Sequence, residues 1–170
     1  MSELQQDQRS EKPRFSPEAR QEIEGIYKRY PEAYRQSAVM PILHLAQREF
    51  GGWLSPEVLA YIAEYMDIPA MRVYEVATFY TMYNLKPVGK YHVQVCTNIS
   101  CWLCGSDMVM GSLAEKLKVK GGETSEDGRF TLTEVECLGA CVNAPMMQIN
   151  DDYYEDLTPE KVAEAIDRLP

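Results

Sequence analysis

The side chains best suited to chemistry in this chain are thiols. Five cysteines, Cys96, Cys101, Cys104, Cys137 and Cys141, all fall in the second half of 170 residues. Four residues separate Cys96 from Cys101, three separate Cys137 from Cys141, and thirty-five lie between the two pairs. Thiolates clustered in this way are the ligands that iron–sulfur clusters take. The two pairs are read as the four ligands of one [2Fe–2S] cluster. Cys96 closes a β-rich run and Cys101 opens a helix, whose free N–H groups and partial positive charge stabilise thiolate and cluster sulfur alike. Cys137 and Cys141 enclose Leu138-Gly139-Ala140, where Gly139 can adopt the positive φ that turns backbone amides towards a sulfur. Reduction adds charge to an already anionic, partly buried site. A low potential follows, on the scale of about −400 mV for plant-type ferredoxins.

Other uses of the same sulfurs compete with that reading. Cys96, Cys101 and Cys104 also match the opening of the plant-type spacing, which leaves Cys137 or Cys141 spare. The paired set leaves Cys104 instead, as a buried thiol inside a helix. Cys101-Trp102-Leu103-Cys104 has the form of a thioredoxin-type dithiol, but that leaves three cysteines without a role. A structural zinc site built from the same four sulfurs is chemically possible, and ligand spacing discriminates it poorly. His44 and His92 have no partner visible in the sequence and are read as structural. Asp151, Asp152, Glu155 and Asp156 read as a solvated hairpin tip. No glycine-rich phosphate fingerprint occurs, so NAD or ATP binding by this chain itself is not expected.

The elements that must position the cysteines are legible from start signals and periodicity. Residues 1–14 are polar and aperiodic, and are read as a flexible tail. Residues 15–86 read as a helical bundle. Ser16-Pro17-Glu18 starts a helix running to about Arg29. Val39, Leu43, Ala46 and Phe50 line a second, stopped by Gly51-Gly52. Ser55-Pro56-Glu57 starts a third along Leu59, Ile62, Ala63 and Met66. A fourth begins near Pro69 and passes through Val73, Val76, Ala77 and Tyr80. The aromatic run Phe79–Tyr83 is read as core or as a subunit interface. After the turn-forming Lys86-Pro87-Val88-Gly89, residues 87–170 read as an α/β domain with a mixed four-stranded sheet. Its strands are Tyr91–Cys96, Phe130–Val135, Met146–Ile149 and Tyr153-Tyr154, with a helix over 102–118 and a last one capped by Thr158.

Composition narrows the function classes. The net charge of −9 and the lack of a Lys/Arg cluster argue against nucleic-acid binding. No apolar run reaches the roughly 20 residues of a membrane span, and the N-terminus lacks a signal-peptide pattern. A cytoplasmic protein is expected, where thiols stay reduced and five cysteines point to metal or redox chemistry rather than disulfides.

The motifs also carry a resemblance. Cys96-Thr97-Asn98-Ile99-Ser100-Cys101-Trp102, with Glu136-Cys137-Leu138-Gly139-Ala140-Cys141-Val142-Asn143-Ala144-Pro145-Met146-Met147, resembles the thioredoxin-like [2Fe–2S] ferredoxins. Gly51-Gly52-Trp53-Leu54-Ser55 and Val76-Ala77-Thr78-Phe79-Tyr80-Thr81-Met82-Tyr83 are similar to the helical region of one branch, the E subunits of NADH–quinone oxidoreductase (bacterial complex I). The resemblance spans about residues 17–169. It implies a thioredoxin-like domain whose cluster is held by Cys96, Cys101, Cys137 and Cys141, with Cys104 outside the ligand set. It further implies docking on a flavoprotein, the F subunit, which binds NADH and FMN, and single-electron exchange with that FMN inside a translocating NADH:quinone oxidoreductase. It places the chain on the cytoplasmic side of the inner membrane without inserting into it. A free-standing ferredoxin, or the equivalent component of an NAD-linked hydrogenase or formate dehydrogenase, is the alternative.

Overall fold

A computed structural model describes residues 12–170. Most of the expected N-terminal tail lies outside the described residues, and residues 12–14 have no regular structure. The chain divides into two compact units that meet between Pro87 and Val88.

The first unit is built from helices whose starts are chemically marked. Ser16 caps α1 (Pro17–Tyr27), its Oγ accepting from the Ala19 amide at 3.1 Å. Ser55 caps α3 (Pro56–Met66), accepting from Val58 at 3.2 Å. In both, proline takes the first helical position, where a missing N–H costs nothing. Between α1 and α2 (Val39–Glu49) lies a 3₁₀ segment, Glu32–Ala38, which no local sequence signal predicts. Asp67, in a left-handed conformation, ends α3 before α4 (Ala70–Phe79). Ile23, Ile42, Leu43, Ile62 and Val73 are fully buried between these helices, each stabilising the bundle by roughly 1.5–3 kcal/mol. Phe15 packs its ring within 5.6 Å of Phe50, Tyr61 and Tyr65. The aromatic run splits between two environments. Tyr83 is buried and donates to the Met40 carbonyl at 3.0 Å, while Phe79 stands 78% exposed. His44 lies against the Tyr83 ring.

The second unit runs β1 (Tyr91–Cys96), α5 (Ile99–Leu103), α6 (Ser106–Leu117), β2 (Phe130–Val135), β3 (Met147–Ile149), β4 (Asp152–Tyr154) and α7 (Pro159–Asp167). The four strands form one mixed sheet in the order β2-β1-β3-β4. β1 pairs with β2 in parallel and with β3 antiparallel, and β4 pairs antiparallel with β3. Alternation along β1 buries Tyr91, Val93 and Val95. They share a core with Val109 and Leu113 of α6, Leu132 of β2 and Val162 and Ile166 of α7. His92 takes the alternate position, its Nε2 2.9 Å from Thr133 Oγ1, with burial lowering its pKa. Among the described residues no helix is long and apolar enough to cross a membrane.

One expected helix is two. The run over 102–118 breaks at Cys104-Gly105, where Gly105 has φ +95°. A left-handed residue cannot continue a right-handed helix, and glycine accepts that conformation without a Cβ clash.

Candidate redox centre

Strand register brings the cysteine stretches to one end of the sheet. Parallel pairing sets Cys96, the last residue of β1, opposite Val135, the last of β2. The backbone leaving β2 reaches Cys137 two residues later, and Thr97 still donates to the Val135 carbonyl at 3.0 Å. The incoming stretch joins at the same end, because antiparallel pairing sets Val95 opposite Met147 and the Cys96 amide donates to the Met146 carbonyl at 3.3 Å.

Asn98 starts α5, accepting from the Ile99 amide through its side chain. Cys101 is therefore the third residue of that helix, inside its first turn, where amides lack intrahelical partners. Cys96 and Cys101 are buried in a small apolar cluster with Met146, flanked by Leu138, Ala140 and Ala144. The Cys96 thiol lies 3.6 Å from the Glu136 carbonyl. Burial is the main cause that pushes the Cys101 thiol up to about 11. A hydrogen bond with Cys96 adds to it, the Met146 backbone opposes it, and the charges of Cys96 and Cys141 reinforce it. Cys96 and Cys141 thus both act on Cys101. Cys137 and Cys141 are exposed, on the loop between β2 and β3.

That loop is pinned from the far edge of the sheet. The Tyr153 hydroxyl of β4 donates to the Leu138 carbonyl at 2.6 Å. The Asp156 amide donates to the Asn143 carbonyl at 2.8 Å, and Asn143 Nδ2 returns a bond to the Asp156 carboxylate at 3.0 Å. Gly139 has φ +85°, the left-handed turn its position suggested. Sequence reasoning missed Tyr153 and Asp156, because nothing local links a hairpin tyrosine to a carbonyl fifteen positions earlier.

Cys104 corrects an expectation. It is exposed at the turn between α5 and α6, not buried inside a helix, because Gly105 ends the first helix there. The dithiol reading also loses support. A nucleophilic thiol needs a depressed pKa and access to solvent, whereas the Cys101 thiol is buried and raised. Among the described residues no three His, Cys, Asp or Glu side chains gather closely enough to hold a metal ion, so strand register brings the cysteine stretches to one end of the sheet without closing their four thiols around a common point. A two-iron cluster asks instead for four thiolates shared between two irons. Two buried and two exposed thiols around apolar contacts suit such a half-buried group, and a neutral buried thiol exchanges its proton for a metal ion.

The raised thiol has a checkable consequence in iron-free protein. The folded state holds the Cys101 proton to about 11, against an ordinary value of 9.0. Between those values the folded chain binds more protons than the unfolded one, so stability is complete below pH 9 and falls through pH 11. Urea unfolding of iron-free protein at pH 8, 9.5 and 11 is expected to show a steeper decline than the same series on Cys101→Ala. Parallel declines refute the assignment.

This centre sits in a recognisable class. The family model of the thioredoxin-like [2Fe–2S] ferredoxins matches residues 23–170, and the chain belongs to that family. Among curated relatives, the E subunit of NADH-quinone oxidoreductase from Rickettsia bellii is 59% identical over 146 residues, which is 86% of this chain and 87% of that protein. The mitochondrial NADH dehydrogenase [ubiquinone] flavoprotein 2 of Dictyostelium discoideum is 48% identical over 155 residues, 91% of this chain and 63% of its own. These relatives are components of oxidoreductases. Among solved structures, an NAD⁺-reducing [NiFe]-hydrogenase in the H2-reduced state superposes with a TM-score of 0.67 at 18% identity, over 78% of this chain and 23% of that one. At that identity the likeness is one of fold.

Proposed function

We propose that Cys96, Cys101, Cys137 and Cys141 hold one [2Fe–2S] cluster, and that the chain is the electron-transfer subunit of the NADH-oxidising module of a translocating NADH–quinone oxidoreductase. When bound, that group supplies one-electron chemistry, here exchanged with the FMN of an NADH-binding flavoprotein partner, the F subunit. The observation that carries the reading is the convergence of both cysteine stretches at one sheet end, in a chain 59% identical to an E subunit over 86% of its length.

This chain's own residues bind and shield. The buried Cys96 and Cys101 form the inner pair, and Met146, Leu138 and Ala140 exclude water from it. Cys137 and Cys141 form the outer pair on the pinned loop. The charge of Cys141 is among the causes that raise the Cys101 thiol, and Cys137 and Cys141 enter the same sheet end as Cys96. Ile99, Trp102 and Leu103 on α5 and Val142 beside Cys141 are large, apolar and exposed, Val142 to 97%. Exposed apolar groups around a charged centre suit a surface that docks, and short electron paths need close approach. Phe79, Met71 and Tyr74 give the helical unit, residues 15–86, its own exposed apolar face, which suits partner docking. A peripheral position on the cytoplasmic side of the inner membrane fits this role.

Anaerobically purified protein is expected to contain about two irons and two acid-labile sulfides per chain, and to give an EPR signal after dithionite. Co-expressed with the flavoprotein partner, it is expected to co-elute on gel filtration. Colourless, iron-free protein after reconstitution overturns the cluster; a coloured chain that never co-elutes overturns the role in a complex and leaves a free-standing ferredoxin.

A further inference from the structure

The peptide between Leu138 and Gly139 lies between Cys137 and Cys141, the two exposed cysteines of the β2–β3 loop. Its carbonyl accepts from the Tyr153 hydroxyl at 2.6 Å, one of the short side-chain bonds of this unit. The Ala144–Pro145 peptide is the cis bond of the described chain, so Leu138–Gly139 is trans. In a trans peptide the C=O and N–H point in opposite directions. A hydroxyl that holds the Leu138 oxygen therefore also aims the Gly139 N–H away from Tyr153. Among the described residues that N–H has no backbone acceptor, and Gly139 holds φ +85°, a conformation glycine takes without a Cβ clash.

Resting on the four-cysteine reading above, we infer that Tyr153 is a positioning residue: its hydroxyl orients the Leu138–Gly139 peptide so that the Gly139 N–H serves the sulfur atoms of the outer ligand pair. Two effects combine. The bond removes the freedom of the peptide plane to flip. It also polarises the peptide, because an amide whose carbonyl accepts a strong hydrogen bond is a better donor at its nitrogen. Donation to sulfur favours the more negative, reduced state of the centre. The bond of Tyr153 to this region is the one to the loop carbonyl, so its influence runs through the peptide. Its ring is about half exposed, and water can reach the Leu138 carbonyl once the hydroxyl is gone. Folding stability should then hardly change, which separates positioning from mere support.

The test compares the intact protein with Tyr153→Phe, and with a version carrying a ring-fluorinated tyrosine at position 153, which keeps the hydroxyl and makes it a stronger donor. Iron content, thermal unfolding, redox titration by EPR, and exchangeable-proton hyperfine couplings in H2O and D2O are measured on each. For Tyr153→Phe we expect wild-type unfolding, a reduced-to-oxidised ratio at fixed potential lower by about three- to tenfold, and loss or weakening of one exchangeable coupling. The fluorinated protein should shift the ratio upward. Unchanged ratio and couplings in the cluster-bearing fraction overturn the inference, as do shifts of the same sign in both proteins. If Tyr153→Phe fails to assemble, the fluorinated protein decides alone: an upward shift supports positioning and no shift overturns it. Iron-free wild-type protein refutes the four-cysteine reading itself, an outcome distinct from a cluster that ignores Tyr153.

Discussion

Serine at Cys96 or Cys101 is expected to abolish the visible and EPR spectra, serine at Cys137 or Cys141 to alter them or remove part of the iron, and Cys104→Ser to leave them unchanged. The grading comes from burial. Cys96 and Cys101 are 2% and 1% exposed, so a hydroxyl there replaces a soft thiolate by a poor ligand with no water able to take its place. Serine also stays protonated at neutral pH, and a buried hydroxyl has still less reason to ionise than the raised Cys101 thiol. The exposed pair can recruit water or a neighbouring donor, so partial occupancy with shifted g-values is the expected outcome. Cys104 is exposed too, but it caps the end of α5 just before the left-handed Gly105, on the turn to α6 and away from the first turn of α5 that carries Cys101. Iron and acid-labile sulfide per chain, together with EPR of the dithionite-reduced proteins, measure this directly. A cluster lost in Cys104→Ser but retained in serine variants of Cys137 or Cys141 transfers the site to the plant-type spacing.

The second large effect concerns the strand that carries Cys96. A Cβ at Gly89 would stand 2.9 Å from the Arg129 carbonyl carbon and oxygen and from the Phe130 carbonyl carbon. All three are backbone atoms, so no side-chain rotation relieves the overlap. The Gly89 amide is also committed, donating to the buried Thr131 hydroxyl at 2.6 Å. Gly89→Ala must therefore push β1 and β2 apart at their starts, two residues before the paired register begins. A loss of about 1–3 kcal/mol is expected, the range for overpacking. Gly111→Ala in α6 is the contrast, because its added Cβ meets nothing within 4 Å. That change should be neutral or stabilise by about 0.5–1 kcal/mol, through better helix propensity. Urea unfolding should show Gly89→Ala clearly destabilised and Gly111→Ala unchanged or more stable. Equal destabilisation by both would show that the close approach at Gly89 is not what matters.

How much of this was legible beforehand depends on the range of the signal. Helix starts at Ser16, Ser55 and Thr158 were readable because a cap, a proline and an acid sit within four residues of one another, and the structure has each cap bond. The strand Tyr91–Cys96 and its buried alternation were readable for the same reason. The helix break at Gly105 was not, since a glycine inside an apolar periodic run is usually tolerated and its positive φ is set by the packing of the turn around it. The 3₁₀ segment Glu32–Ala38 was missed because it has no 3.6-residue stripe to detect.

For the centre itself, residue types and spacing by themselves determined which thiols are candidates and what chemistry four of them support, because thiolate chemistry is intrinsic to the side chain. Tertiary structure decided everything that depends on distance through space. Strand register brought stretches thirty-five residues apart to one end of a sheet. Burial separated an inner from an outer pair of cysteines and left Cys104 in solvent. A tyrosine on the last strand came to hold a carbonyl of the loop between Cys137 and Cys141. Local patterns carry local conformation, whereas register, burial and cross-sheet hydrogen bonds arise only when the whole domain minimises its exposed apolar surface and satisfies its backbone at once.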